Sequence, residues 1–107
     1  MAGGRSITLT GKDRPELFRG TLLSLVENDL GGWRILIRIE PGPRAAEFPP
    51  IAAELLAGLD YDIRINATVL GIRKNPFSAI DDAFGEGSEL NLCLEEDLLV
   101  SPDATAL

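Results

Sequence analysis

The chain has 107 residues, 45% of them hydrophobic and 25% charged, with a formal net charge of −7. That length supports one domain with a real core, and that balance excludes wholesale disorder. A lone cysteine, Cys93, excludes an internal disulfide, and the absence of histidine excludes imidazole metal sites and His-based catalytic triads.

The charge is unevenly placed. Residues 1–74 carry all ten Lys and Arg against nine acids, whereas residues 75–107 carry eight acids and no base. Such asymmetry bears on partners more than on fold. No stretch approaches the roughly 18 apolar residues of a membrane span. Met1–Arg5 is not followed by the apolar run of a secretory signal, so a cytoplasmic protein is expected.

In chain order, residues 1–5 read as a loose start and Ser6–Thr10 as a short strand with Ile7 and Leu9 on one face. Gly11–Glu16 is dense in turn formers. Leu17–Val26 reads as a second strand, apolar on both faces towards its end, although a short helix fits its periodicity nearly as well. Asn28–Gly32 has hairpin composition and should join that strand to the next as an antiparallel neighbour. Trp33–Glu40 gives the clearest signal: Trp33, Ile35, Ile37 and Ile39 alternate with Arg34, Leu36, Arg38 and Glu40.

Pro41-Gly42-Pro43 ends that strand. Pro49 to Ala57 reads as a helix, with proline in the first turn and an apolar stripe through Ile51, Ala52, Leu55 and Leu56. A fourth strand is expected from Tyr61 to about Arg73, with Gly71 as a bulge. Asn75-Pro76 then looks like the cap of a short helix ending at Gly85, and Glu89–Leu94 is the fifth strand. Residues 101–107 are expected to fray around an ordered core of about 6–100. The order β-β-β-α-β-short α-β predicts an α+β domain with a curved five-stranded antiparallel sheet. That sheet could close as an OB-like barrel.

Two constellations stand out. Asp81, Asp82, Glu86, Glu89, Glu95, Glu96 and Asp97, followed by apolar Leu98, Leu99 and Val100, suit an acidic protein-binding surface. Arg34, Arg38 and Arg64 would share one sheet face and suit an anion or single-stranded nucleic acid, as on the open face of an OB-like barrel. The expected function is therefore a non-enzymatic adaptor, inhibitor, immunity-type partner or accessory subunit binding a protein with a basic surface. Self-association through an edge strand is also open, and nucleic acid is the alternative ligand. No calcium-loop pattern, phosphate loop or converging carboxylate pair is legible, so no cofactor, metal or catalytic residue is expected.

Overall fold

The computed structural model describes residues 4–106; the expectations for residues 1–3 and 107 lie outside them. Strands and helices alternate: β1 (Gly4–Gly11), α1 (Pro15–Leu25), β2 (Trp33–Ile39), α2 (Phe48–Leu55, preceded by a 3-10 turn at Ala45–Glu47), β3 (Tyr61–Ile65), α3 (Gly71–Gly85) and β4 (Ser88–Glu95). The four strands form one sheet of order β3-β2-β1-β4, and every pairing is parallel. This overturns the five-stranded antiparallel sheet and the OB-like barrel.

The decisive misreading is Leu17–Val26, which is helix α1 and not a strand. Pro15 occupies the first turn, where its missing N–H costs nothing, and Glu16 favours the positive end of the helix dipole. Phe18, Leu22 and Leu25 then recur at helical spacing and are fully buried. A helix at this point turns the expected hairpin into a crossover, since parallel neighbours need a covered connection rather than a tight turn. Asn28–Gly32 is the return loop of that crossover.

The fourth expected strand is likewise shorter. β3 stops at Ile65, and Gly71, with φ +94°, opens α3 four residues before the expected cap at Asn75. Pro76 sits inside this helix. The register is held by Asn75, which is buried, donates to the Arg38 carbonyl at 3.2 Å and accepts from Asn66 Nδ2 at 2.8 Å.

The winding reverses once. β1, α1, β2, α2 and β3 step outward with α1 and α2 on one face; the chain then crosses the other face in α3 and enters β4 beside β1. Ile7, Leu9, Ile35, Ile37 and Ile39 meet Phe18, Leu22, Phe48 and Leu56 in the α1–α2 core. The rings of Phe18 and Phe48 are tilted at a centroid separation of 4.9 Å. The α3 face is different: Ser6, Thr8, Leu36, Arg38 and Glu40 lie under the small side chains Ala79 and Ala83. β2 is thus buried on both faces, as parallel sheets require. Its second face, expected to be solvated, is roofed by α3.

After β4 the chain runs back along α1. Val100 N–H donates to Ser24 Oγ, and Thr105, which is buried, gives its N–H to Asn28 Oδ1 at 3.1 Å.

Gly11 is where this packing leaves no room. A Cβ there would lie 2.9 Å from both Ile39 Cδ1 and Phe48 Cε2, whereas one at Gly20, inside α1, would meet nothing within 4 Å. Urea unfolding should therefore show Gly11→Ala destabilised by about 1–3 kcal/mol through overpacking. Gly20→Ala should be stabilised by about 0.5–1 kcal/mol through helix propensity.

Candidate functional site

In an open parallel sheet, the loops leaving two neighbouring strands in opposite directions cannot fill the space between them. A crevice opens at the carboxyl ends of those strands. Here β1, β2 and β4 all send the chain towards the α1–α2 face and only β3 sends it to the other, into α3, so the crevice opens between those loops and the start of α3. A cleft of about 670 Å³ lies at that place. Its walls are the β1–α1 loop (Gly11–Arg14), the end of β4 (Glu95–Asp97), Glu40 and Arg44 beyond β2, and the first turns of α3.

Two buried carboxylates build the walls. Glu96 is 6% exposed and accepts the backbone N–H of Lys12 at 3.1 Å and of Arg14 at 3.3 Å on Oε2. Its own carbonyl accepts from Thr21 Oγ1 at 2.7 Å, which fastens the end of β4 to α1. Glu40 is 4% exposed and takes the N–H of Gly71 at 2.7 Å, the N–H of Leu70 and Asn66 Nδ2. An acid on the first N–H groups of a helix suits the helix dipole. Burial pushes the Glu40 carboxyl up, but those three donors, helped by the charge of Lys12, outweigh it and hold the group below the ordinary glutamate value of 4.5.

The remaining charges face the cleft. Lys12 makes no ion pair with a described residue, whereas Arg14 lies 3.7 Å from both Glu96 and Asp97. Arg44 bridges Glu16 at 2.9 Å and Glu47 at 2.8 Å, and its guanidinium holds both carboxyls below their ordinary value. Glu95 is exposed at the strand end. The lining residues thus comprise three cations (Lys12, Arg14, Arg44) and six acids (Asp13, Glu16, Glu40, Glu95, Glu96, Asp97). Among the described residues, no three ligating side chains converge closely enough to hold a metal ion on their own.

The acids singled out in the sequence are scattered. Asp82 and Glu86 lie on the flank of α3 over β2, at 3.5 Å from Arg38 and 3.2 Å from Arg34 respectively. Asp81 and Glu89 are exposed, Glu95–Asp97 are at the cleft, and Leu98 and Leu99 are exposed beside it. Val100 packs partly against the core. The three arginines do share a sheet face, but α3 covers it over β2 and leaves it open at the edge strand β3. Arg38 is 3% exposed, bound to Asp62 at 3.2 Å, with Nε and Nη2 buried without a hydrogen-bond partner. Arg34 is held between Asp60 and Glu86, and Arg64 is exposed near Asp62.

No protein-family model matches this chain, and no curated protein matches it. No helix among the described residues is long and apolar enough to cross a membrane.

Sequence reasoning missed Lys12, Arg14, Arg44 and Glu40 as neighbours, because it had β1 and Glu95–Asp97 in an antiparallel sheet. A signal was there: Gly11-Lys12-Asp13-Arg14-Pro15 after an alternating strand is a strand-to-helix turn with proline at the first helical position.

The tether at Glu40 has a pH signature. A carboxyl whose native value is depressed stabilises the fold above its unfolded value and loses that contribution as pH falls through the native one. Glu40→Gln puts an amide nitrogen against N–H donors and should cost about 1–3 kcal/mol at neutral pH. That difference should shrink below pH 4.5, as read by urea unfolding of both proteins down to about pH 3.

Proposed function

We propose that the switch-point cleft binds a phosphorylated small molecule of the nucleoside-diphosphate class together with a divalent cation. The observation that carries this reading is the meeting of Lys12, Arg14 and Arg44 with Glu95 and Asp97 in the crevice at the carboxyl ends of the strands, below the start of α3. Open parallel sheets bind ligands at this place because only there do loops part and strand ends stay accessible.

The charge balance selects the ligand. A cleft with twice as many carboxylates as cations repels a bare phosphate, whereas a divalent cation entering with the phosphates reverses that repulsion. Magnesium is commonly held by one or two carboxylates plus substrate phosphates, without a cage made wholly of protein. Glu95 and Asp97 are the carboxylates for that role, because Glu40 and Glu96 are occupied by backbone donors. Lys12, on the β1–α1 loop beside Glu96, and Arg44, beyond β2, then reach the phosphate oxygens. The β1–α1 loop is not a glycine-rich cradle, since two of its N–H groups are spent on Glu96. Side chains and the cation therefore do the binding.

Such a cleft needs no histidine. In group transfer from a nucleoside diphosphate, the charge that develops is on the departing diphosphate, and a divalent cation stabilises it directly. The missing imidazole argues against nucleophilic and proton-shuttle enzymes and leaves this class open.

Thermal unfolding with ADP, GDP and UDP, each with and without magnesium or manganese, tests the reading. At about a hundredfold excess over Kd, binding should add about 2.7 kcal/mol, a rise in Tm of about 10 °C for a domain of this size. Chelation should remove the shift. Lys12→Glu and Glu95→Gln should each weaken binding about tenfold or more, and Glu95→Gln, at an exposed position, should leave the unliganded Tm nearly unchanged. Unaltered Tm with every diphosphate and either metal would sink the proposal.

A further inference from the structure

The two edges of the sheet are unlike. β3 is five residues long, with the charged pair Asp62 and Arg64 along it. Charge and shortness are how natural sheets keep an edge from pairing. β4 is eight residues long, is hydrogen-bonded only to β1, and turns its other edge outward.

Apolar side chains flank that free edge above and below. On the α1–α2 face, register places Leu90 and Leu92 level with Arg5 and Ile7, and Leu90 is 41% exposed. On the α3 face, Cys93 is exposed. Asp82 and Glu86 mark the flank of α3 that faces β2, so Phe77, Ile80 and Phe84, at helical spacing, lie on the outer flank, towards and beyond β4. Phe77 is 65% exposed and Phe84 49%. α3 touches the sheet through Ala79 and Ala83 and leaves its aromatic side chains uncovered. A long edge with apolar surface on both sides is the anatomy of strand addition, in which backbone bonds give affinity and alternate side chains give selectivity.

Charge decides the occupant. A second copy would bring another eight acids and no base against this region. A twofold antiparallel pairing centred on Leu92 would also set Glu89 of each copy opposite Glu95 of the other, and like charges directly opposite destabilise a pair. The complementary strand carries bases. We propose that the outer edge of β4 binds an extended polypeptide segment that alternates apolar residues with Lys or Arg. Its apolar side chains meet Leu90 and Leu92; its basic ones reach Glu89 and Glu95. Their aliphatic stems and charged heads pack over Phe77 and Phe84, as cations do on aromatic faces. This surface shares only Glu95 with the cleft, whose lining includes none of Phe77, Phe84, Glu89, Leu90 and Leu92, so Phe84→Glu tests the edge alone and Lys12→Glu the cleft alone.

The test uses fluorescent eight-residue peptides alternating Val with Lys, and Val with Glu, titrated by polarisation in moderate salt. The Val/Lys peptide should bind at least about tenfold more tightly than the Val/Glu peptide and should slow amide exchange across Ser88–Glu95. N-methylation of alternate residues should abolish binding in one of the two possible phases and spare it in the other, because only one set of amides faces β4. Phe84→Glu, at an exposed position, should weaken binding without lowering Tm. Equal binding in both methylation phases, or binding without protection of Ser88–Glu95, would overturn the proposal in favour of charge attraction alone. Failure of the Val/Lys peptide to bind would overturn it outright, as would a stable dimer cross-linked through Cys93.

Discussion

Two buried carboxylates, Glu40 just past the end of β2 and Glu96 just past the end of β4, are the constraint on which this structure rests. Taking an ionised group out of water is costly unless donors replace the solvent. Glu96 and Glu40 each meet that requirement with backbone N–H groups from a neighbouring segment. Their positions follow: Glu96 can be buried only if the β1–α1 loop curls over it, and Glu40 only if α3 begins above it. The cleft is what remains between the two clamped corners. Gly11 stands at the junction, where the space a Cβ would need is already taken by Ile39, Phe48 and the Glu96 carboxylate, so the β1–α1 corner is packed directly on the core.

The two faces of the sheet divide the work. The α1–α2 face is apolar and closed, with two fully buried phenylalanines and most of the isoleucines. The α3 face carries the polar framework: Ser6 with Ser88, Thr8 with Asn91, Asn66 with Asn75, and Arg38 among Asp62 and Asp82. Hydroxyl and amide networks of this kind fix register, because each misplaced partner leaves a buried polar atom unpaired. They contribute less apolar burial, and α3 is correspondingly the helix with the most exposed aromatic surface.

Strand positions were legible wherever alternation was strict. Ser6–Thr10, Trp33–Glu40 and the Leu90–Leu94 alternation all fall in or against strands, and Pro49 lies in the expected helix. What alternation does not carry is the direction of the neighbour. A strand buried on both faces by helices shows a polar-looking second face if that face is networked, and Arg34, Leu36, Arg38 and Glu40 look solvated for that reason. One local decision then propagated. Reading Leu17–Val26 as extended made the next connection a hairpin, the sheet antiparallel and the barrel attractive. The helical spacing of Phe18, Leu22 and Leu25, with Pro15 ahead of it, was the signal that separates the two topologies.

The acidic third shows why charge along a chain is not charge on a surface. Eight acids and no base in residues 75–107 look like one patch, yet the fold gives them different roles. Glu96 is structural and almost wholly buried. Asp82 and Glu86 neutralise Arg38 and Arg34 across the α3 interface, so part of the acidity is consumed in holding the helix to the sheet. Asp97 shares Arg14 with Glu96 at the cleft. Asp103 accepts from Ser101 Oγ in the C-terminal segment and Asp81 is exposed on α3, which leaves Glu89 and Glu95, one near each end of the free strand. They bring negative charge to the edge, and Glu95 alone belongs to both surfaces. A uniform acidic face would attract bases without discrimination. Two carboxylates spaced along a strand with apolar residues between them instead select for a ligand with the same spacing, which converts an electrostatic bias into a geometric one.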